Sequence, residues 1–207
     1  MPFIRVNCPK GALTANQKVK LAPLLVEALI SQEIDPVTEI GREATGFMIN
    51  EIDVHNCFPG GVPLTENPKK TFWIVEAFVA ASFFSQSRRD AMQTAIAKAF
   101  VEILGDDGSV LEREDIRISP AYLMRLHVVV IEIPEGSWGA GGQTIDTEKI
   151  SKLIGATQGP TRLAGCRRDL CWNLIGAVSS RVRILGQAAR SIGLSASFWV
   201  SVCHPST

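Results

Sequence analysis

The first residues of the chain carry the clearest candidate for chemistry. The sequence begins Met1-Pro2, and removal of Met1 would leave Pro2 with a free secondary amine at the head of an apolar segment. An ordinary α-amino group titrates near pH 8, and partial burial lowers that pKa because it disfavours the charged form. Such an amine can take up and return protons at physiological pH. The alternative is that Pro2 is only an inert lead-in to a strand.

Composition limits the classes of function. The chain has 207 residues, 46% of them hydrophobic, which is enough for a substantial core. Its 21 Lys and Arg balance its 21 Asp and Glu, so the charge gives no general case for binding nucleic acid. The five cysteines have irregular spacing and favour a reduced, cytoplasmic protein. The apolar run at residues 172–178 is too short to cross a bilayer, so we expect no membrane partner.

The first part of the chain predicts a strand, a helix and a second strand. Residues 3–7 have the pattern of a short strand, and the TANQ segment at 14–17 has the spacing of a capping box that starts a helix. Apolar residues at intervals of three and four extend that helix to about residue 35. Residues 45–54 alternate as a strand and lead into the turn CFPGG at 57–61.

The same order then begins again. Residues 71–79 predict a strand, a helix follows from Ser85 to about Gly105, and LHVVVIEI at residues 126–133 is the strongest strand pattern in the chain. This strand also leads to an aromatic residue and glycines, WGAGG at 138–142. The sequence is therefore an internal repeat of strand, helix, strand and aromatic-glycine turn.

The repeat predicts an α+β fold built from tandem β-α-β units. Each crossover helix allows its two flanking strands to lie parallel, and two units side by side give a four-stranded mixed sheet with two helices on one face. We place repeat one at about residues 2–62, repeat two at about 70–145, and the whole domain at 1–155. The other face of the sheet needs a cover, and self-association is the expected one.

Three segments resemble the tautomerase superfamily, whose type enzyme is 4-oxalocrotonate tautomerase. They are the Met1-Pro2 start, the segment INE at 49–51 leading to FPGG at 58–61, and IEIPEGSWGAGG at 131–142. The resemblance covers about residues 2–155 and is to the fused, two-unit version, with a tautomerase/MIF-like fold. It implies a homotrimer and a small carboxylate substrate. It also implies that the amine of Pro2 is general base and then general acid. We expect no cofactor, and no metal, because His55, His127 and His204 show no metal-ligand spacing with Cys, Asp or Glu.

The arginines of the family do not carry over to this sequence. The type enzyme has one arginine just before its helix and one near the start of its last strand. Here the places before the two helices hold Leu13 and Phe84, and the starts of the two strands hold about Gly46 and His127. The usual dicarboxylate substrate is therefore in doubt, and a different cation is required.

Four further side chains are candidates for binding the substrate of Pro2. Phe58 and Trp138 stand where the resemblance places the aromatic wall, and either could instead pack within a hairpin or an interface. His127 can hydrogen-bond a carbonyl or carboxylate, although a lone strand histidine is often structural. Arg125 is predicted on the same strand face, two residues before His127, where it would complete an anion site.

Three other arginines have weaker interpretations. Arg88 and Arg89, in the first turn of the second helix, are typical of a solvated face, although one of them could reach a neighbouring subunit's pocket. Arg5 lies on the face of Phe3 and is expected to pair with an acid such as Glu51.

Three functions remain open at this point. The first is a tautomerase that moves a proton within an enol or unsaturated keto acid. The second is a hydratase, dehalogenase or decarboxylase of small unsaturated acids, in which a protonated Pro2 acts with a carboxylate such as Glu51 or Glu132. The third is a non-catalytic trimeric binding module, which the missing arginines favour.

Residues 156–207 differ from the preceding domain. They contain six arginines, no lysine and one acid, Asp169, and the resemblance does not extend to them. Residues 167–190 have the pattern of a basic amphipathic helix and residues 194–202 that of a strand. The segment is interpreted as a partner-binding or membrane-surface extension, or as an appended, partly disordered segment of low selective value; its composition favours the second.

Overall fold

A computed structural model describes residues 2–81 and 84–154, and the prediction for residues 156–207 lies outside this part of the chain. The regular elements are numbered in chain order. They are β1 (Phe3–Pro9), α1 (Ala15–Glu33), α2 (Glu39–Ala44), β2 (Gly46–Ile52), β3 (Trp73–Ala80), α3 (Gln86–Leu104), β4 (Leu111–Arg113), β5 (Ile116–Ile118), β6 (Leu126–Ile133), β7 (Gly139–Ala140), β8 (Gln143–Thr144) and α4 (Thr147–Ile154).

The central sheet has four strands in the order β2-β1-β3-β6. Strands β1 and β2 are parallel, as are β3 and β6, and each parallel pair is joined through one long helix. The two units meet through an antiparallel pairing of β1 with β3, in which Phe3 lies opposite Phe78 and Val6 opposite Val75. The predicted α+β fold, a mixed four-stranded sheet built from two β-α-β units, is confirmed.

Local side chains fix the starts of both long helices. The Thr14 hydroxyl accepts a hydrogen bond from the Gln17 amide at 3.2 Å, and the Gln17 side chain accepts one from the Thr14 amide at 2.9 Å. This is the predicted capping box. The Ser85 hydroxyl caps α3 in the same way by accepting from the Arg88 amide at 3.3 Å. Each cap satisfies amides that the helix cannot pair, which stabilises it by about 1 kcal/mol.

The core lies between the sheet and the two long helices. Alternate strand residues such as Ile4, Val6 and Val75 point into this core and are fully buried. The helices contribute residues at intervals of three or four, which are Leu21, Leu25 and Leu29 from α1 and Met92, Ile96 and Phe100 from α3. Both helices therefore cover the same face of the sheet, as the sequence predicts.

The opposite face of the sheet, here called the open face, carries a polar network among apolar residues. Arg5 Nε lies 2.5 Å from Glu76 Oε2, and Asn7 Nδ2 donates to the same oxygen at 3.0 Å. The expected pairing of Arg5 with Glu51 is wrong, because the register of β1 and β3 places Arg5 opposite Glu76. Glu51 points to the helical face, where it pairs with Lys18 at 2.7 Å.

Several local structures were not predicted, among them α4, the 3₁₀ helices and the two elements described next. The polar stretch before Pro120 contains the hairpin of β4 and β5, and the short helix α2 stands between α1 and β2. Three-residue strands are too short to show a clear alternation, and α2 has six residues, so periodicity gave no signal. The side chain of Thr38 caps α2 by accepting from the Gly41 amide at 3.0 Å, and this cap was the only local cue.

Leu13 stands at one of the positions where the resemblance expects an arginine, and its burial gives a test of the core. Leu13 is 2% exposed and belongs to the main hydrophobic cluster, so its conversion to arginine puts a charge among apolar side chains. We expect Leu13→Arg to lower the free energy of unfolding by roughly 3 kcal/mol or more. Val19→Arg is the control, because Val19 is 74% exposed on α1, and its effect should stay within about 0.5 kcal/mol. Urea denaturation measures both, and equal losses would contradict this assignment of the core.

The ion pair on the open face predicts a pH-dependent stability. Arg5 lowers the pKa of Glu76, so the pair stabilises the fold above the ordinary carboxyl pKa and loses that effect as the pH falls. Because both side chains are partly exposed, we expect Glu76→Gln to cost about 0.5–1 kcal/mol above about pH 5 and less below about pH 4.

Thermal unfolding across this pH range checks the prediction. Glu102→Gln is the matched control, since Glu102 is exposed on α3. A Glu76→Gln deficit that is the same at every pH would show that the loss is one of packing and not of charge.

Candidate functional site

The strand directions give the sheet two chemically different ends. Strands β1 and β2 begin where β3 and β6 finish, because β1 and β3 are antiparallel. We call this the Pro2 end, and the end where β1 and β2 finish the far end. A helix that follows a strand returns along it, so the end of α1 and the start of α3 also lie at the Pro2 end.

Pro2 is held in place at the head of β1. It is buried, and its carbonyl accepts a hydrogen bond from the Gly46 amide at 3.1 Å. The antiparallel register carries it opposite Val79 on β3. A Cβ atom on Gly46 would lie 2.4 Å from the Phe3 ring, so this place, one of those expected to hold a family arginine, has no room for any side chain.

Trp138 lies at the same end of the sheet. It lines a hollow of about 20 Å³ together with Val79 and Ala80 of β3, with Ile133 at the end of β6 and with Pro134 after it. The Trp138 carbonyl accepts from the Ile145 amide at 2.9 Å, which ties the β7–β8 hairpin to this position. The hollow has room for about one water molecule, so within the described residues it is too small to hold a keto acid.

Two arginines also lie at the Pro2 end, in the first turn of α3. Arg88 Nη1 donates to the Gln32 carbonyl at 3.0 Å, which joins α3 to the end of α1. Arg89 Nε donates to the Phe84 carbonyl at 3.2 Å, and its Nη2 forms an ion pair with Glu132 of β6. Both are half-buried, whereas the sequence favoured a solvated face.

Sequence reasoning missed Glu33, the last residue of α1. Its side chain is buried at 9% exposure, and within the described residues its Oε2 has no hydrogen-bond partner. Burial raises its pKa to about 7, while the positive charge of the amino terminus and a backbone hydrogen bond from Ala80 oppose the rise. Glu33 follows Leu25 and Leu29 at intervals of four, so an acid on the buried stripe was the available signal.

The other predicted site residues lie at the far end. Phe58 is 55% exposed after β2, and His127 is on the open face opposite Ile74. At the level of Pro2, β6 has reached Glu132, five residues beyond His127, so about 16 Å separates His127 from the amine in one chain. The roles of Phe58 and His127 in binding the substrate remain predictions.

The prediction that Arg125 shares a strand face with His127 is wrong. Arg125 is the last residue of a 3₁₀ helix, Ala121–Arg125, that precedes β6, and its Nε donates to the Thr71 carbonyl at 2.9 Å. The 3₁₀ turn begins after Pro120, and it ends the alternation on which the prediction relied.

The arginine places before the two helices are part of the core. Leu13 and Phe84 are each 2% exposed, and both belong to the main hydrophobic cluster. The departure from the family pattern is therefore structural at both positions, because an arginine there would have to leave the core or be buried without a partner.

No protein-family model matches the chain, and no curated protein matches it. Solved structures do. A native fused 4-OT is 19% identical with a TM-score of 0.51, covering 69% of this chain and 94% of that one. The protein Pt0534, inactivated by 2-oxo-3-pentynoate, is 16% identical with a TM-score of 0.52, covering 72% and 98%.

A third structure, a wild-type fused 4-OT symmetric trimer, is 16% identical with a TM-score of 0.51 and covers 72% of this chain and 98% of that one. No helix within residues 2–81 and 84–154 is long and apolar enough to cross a membrane. The resemblance stated from sequence is thus confirmed at the level of the fold: the chain has the fold of the fused 4-oxalocrotonate tautomerases.

Proposed function

We propose that this chain is a tautomerase that moves a proton within an enol or unsaturated keto acid, with Pro2 as general base and then general acid. The observation that carries the proposal is the placement of Pro2. It is buried at the head of β1, its carbonyl is fixed by the Gly46 amide, and its register partner Val79 lines the hollow that Trp138 closes. Removal of Met1 turns this fixed position into a secondary amine.

Burial gives the amine its reactivity. A buried amine loses hydration of its charged form, so its pKa falls from the ordinary value near 8 towards neutrality or below. A neutral amine has a lone pair that accepts a proton, and a base whose pKa is near the working pH also returns it readily. Val79, the register partner of Pro2, and Trp138, which lines the same hollow as Val79, would supply the low-polarity wall.

The proposed reaction is a balanced proton transfer. The Pro2 nitrogen accepts the proton of the enol hydroxyl, the oxygen electron pair forms the carbonyl, and the enol double bond becomes the electron pair on carbon. The protonated amine then gives its proton to that carbon. Pro2 returns to its neutral form, and no oxidant, cofactor or metal enters the balance.

The site is proposed to be completed by other copies of the chain in a homotrimer. The open face carries apolar residues such as Phe78, Val129 and Ile131 in register, and both long helices lie on the opposite face. A second copy on this face would bring far-end residues to the Pro2 end. His127 and Phe58, which are distant from Pro2 within one chain, could then bind the substrate carboxylate and line the pocket.

Only one amine is available in each chain. The place in repeat two that matches Pro2 lies before β3, where Lys70 closes a 3₁₀ turn inside the chain. An internal residue has an amide nitrogen, which is not basic. The proposal therefore predicts one site per chain and three per trimer, in a cytoplasmic protein whose partner is a small carboxylate.

One alternative has an observation in its favour. A protonated Pro2 could act with a carboxylate that activates water, as in a hydratase, dehalogenase or decarboxylase of small unsaturated acids. Of the two acids considered for that role, Glu132 lies at the Pro2 end, where it pairs with Arg89. Glu51 lies at the far end with Lys18. A binding module without activity remains the third hypothesis.

Ketonisation of phenylenolpyruvate or 2-hydroxymuconate tests the proposal, with mass spectrometry to confirm that Met1 is absent. We expect Pro2→Ala to reduce kcat/KM by about 100-fold or more, because it replaces the secondary amine with a differently placed primary one. Pro68→Ala is the matched control, since Pro68 is exposed in a 3₁₀ turn and its loss should leave the rate unchanged.

Three outcomes separate the hypotheses. Undiminished ketonisation by Pro2→Ala would exclude the proline mechanism. Hydration, dehalogenation or decarboxylation of a three-carbon acid without ketonisation would favour the alternative enzyme. A folded trimer that turns over none of these substrates in either form would favour the binding module.

A further inference from the structure

The carboxyl group of Glu33 is placed by the backbone of β3. Alternate amides of a strand point to opposite neighbours, and the Ala81 amide donates to the Ile133 carbonyl on the β6 side at 2.9 Å. The Ala80 amide therefore points towards β1. The Ala80 backbone opposes the rise in the pKa of Glu33, which places the carboxyl group of α1 near this amide, on the β1 side of β3.

The register shows what else lies there. Phe3 pairs with Phe78, so Pro2 lies opposite Val79. After Met1 is removed, the chain begins at Pro2, and Ala80 of β3 lies one residue beyond it. A carboxyl group near the Ala80 amide thus lies close to the Pro2 nitrogen. Facing residues of antiparallel strands have Cα atoms about 4.5–5.5 Å apart, which is within hydrogen-bond reach for a glutamate side chain.

This carboxyl group needs a partner. It is buried at 9% exposure, and its Oε2 lacks a hydrogen bond within the described residues. Burying an ionised carboxylate is costly unless a positive charge or further donors compensate. A secondary ammonium at Pro2 has two N–H donors and a positive charge, so it fits this requirement.

The other charged groups around this corner have partners of their own or are exposed. From α3, Arg88 donates to the Gln32 carbonyl and Arg89 pairs with Glu132 of β6. From α2, Arg42 pairs with Glu27 at 3.1 Å. Two further acids lie near this corner. Asp35 after α1 is exposed, and Glu135 after β6 lines the hollow next to Ala80.

We propose that the Glu33 carboxylate hydrogen-bonds the Pro2 amine once Met1 is removed and shares a proton with it, which keeps Pro2 able both to accept and to return a proton at neutral pH. Glu33 is then a positioning residue that acts through Pro2. The proposal rests on the proposed function for its catalytic consequence, and on the geometry of β1, β3 and α1 for the contact itself.

The pair would keep the pKa of the Pro2 amine from falling as far as burial alone would lower it. Burial lowers the pKa of an amine by as much as several units, and an amine with too low a pKa is a weak base. A carboxylate within about 4–6 Å raises the amine pKa by about 1–3 units and so offsets burial. Burial also raises the pKa of Glu33 itself, which moves the carboxyl group towards the range in which an amine titrates.

Nitrogen-15 NMR of the full chain labelled at proline tests the contact directly. The chain has 11 prolines, and with Met1 removed the amine of Pro2 is distinguished by its chemical shift from the internal prolines, whose nitrogens are tertiary amides. We expect Glu33→Gln to lower the pKa of the Pro2 amine by about one unit or more. The acid limb of the pH profile of kcat/KM should move down by the same amount, which a purely structural role of Glu33 would not produce.

Asp35→Asn is the matched control, because it removes an exposed carboxylate two residues away. Solvent screens that charge, so the amine pKa should change by less than about 0.3 units. Glu33→Met is a second variant of similar length that also removes the charge and needs no hydrogen bond. An amine pKa unchanged in the Glu33 variants, or lowered equally by Asp35→Asn, overturns the proposal.

NMR titration of the wild-type chain tests the pairing without any substitution. If the two groups share a proton, the Pro2 nitrogen and the Glu33 carboxyl carbon show the same two titration steps, and independent single steps would overturn the pairing. These NMR readings do not require activity. A Pro2→Ala chain that retains ketonisation would refute the proposed function while the measured Pro2–Glu33 pair could still stand.

Discussion

The antiparallel register of β1 and β3 is the constraint on which the rest of the structure depends. It joins the two β-α-β units into one sheet, and it sets the head of β1 against the end of β3, with Pro2 opposite Val79. The same register gathers the end of α1, the start of α3 and Trp138 at this end. A residue that would be a frayed terminus in many proteins is therefore buried and fixed.

Duplication explains both the symmetry of the fold and the asymmetry of the site. The two units have matching strands and capped helices, yet the head of β3 follows an internal turn while β1 stands at the start of the chain. The core also differs from the family pattern, because Leu13 and Phe84 are buried where cations were expected. Charge at the Pro2 end comes instead from groups on α1 and α3, namely Glu33, Arg88 and Arg89.

Much of the fold could be predicted from the sequence, because its signals are local. The capping box at Thr14, the alternation of the strands and the repeat itself each act over a few residues, and the structure confirms them. The partner of Arg5 depends on a register 71 residues away, and no local pattern contains it. The site was harder still, since His127 and Pro2 lie at opposite ends of one chain. Glu33 was missed because the buried face of α1 was identified from the periodicity of its apolar residues, and that pattern gives no weight to an acid at the same spacing.

The central claim is that Pro2 is a free amine with a pKa near or below neutrality. Its most direct test is peptide mapping after treatment with limiting 2-oxo-3-pentynoate at pH 7, an electrophile that inactivates the similar structure Pt0534. A neutral amine reacts with an electrophile and a protonated one does not, so the account predicts an adduct on the amino-terminal peptide, at the Pro2 nitrogen, and little elsewhere. Adducts spread over the lysines or cysteines, with Pro2 unmodified, would contradict it.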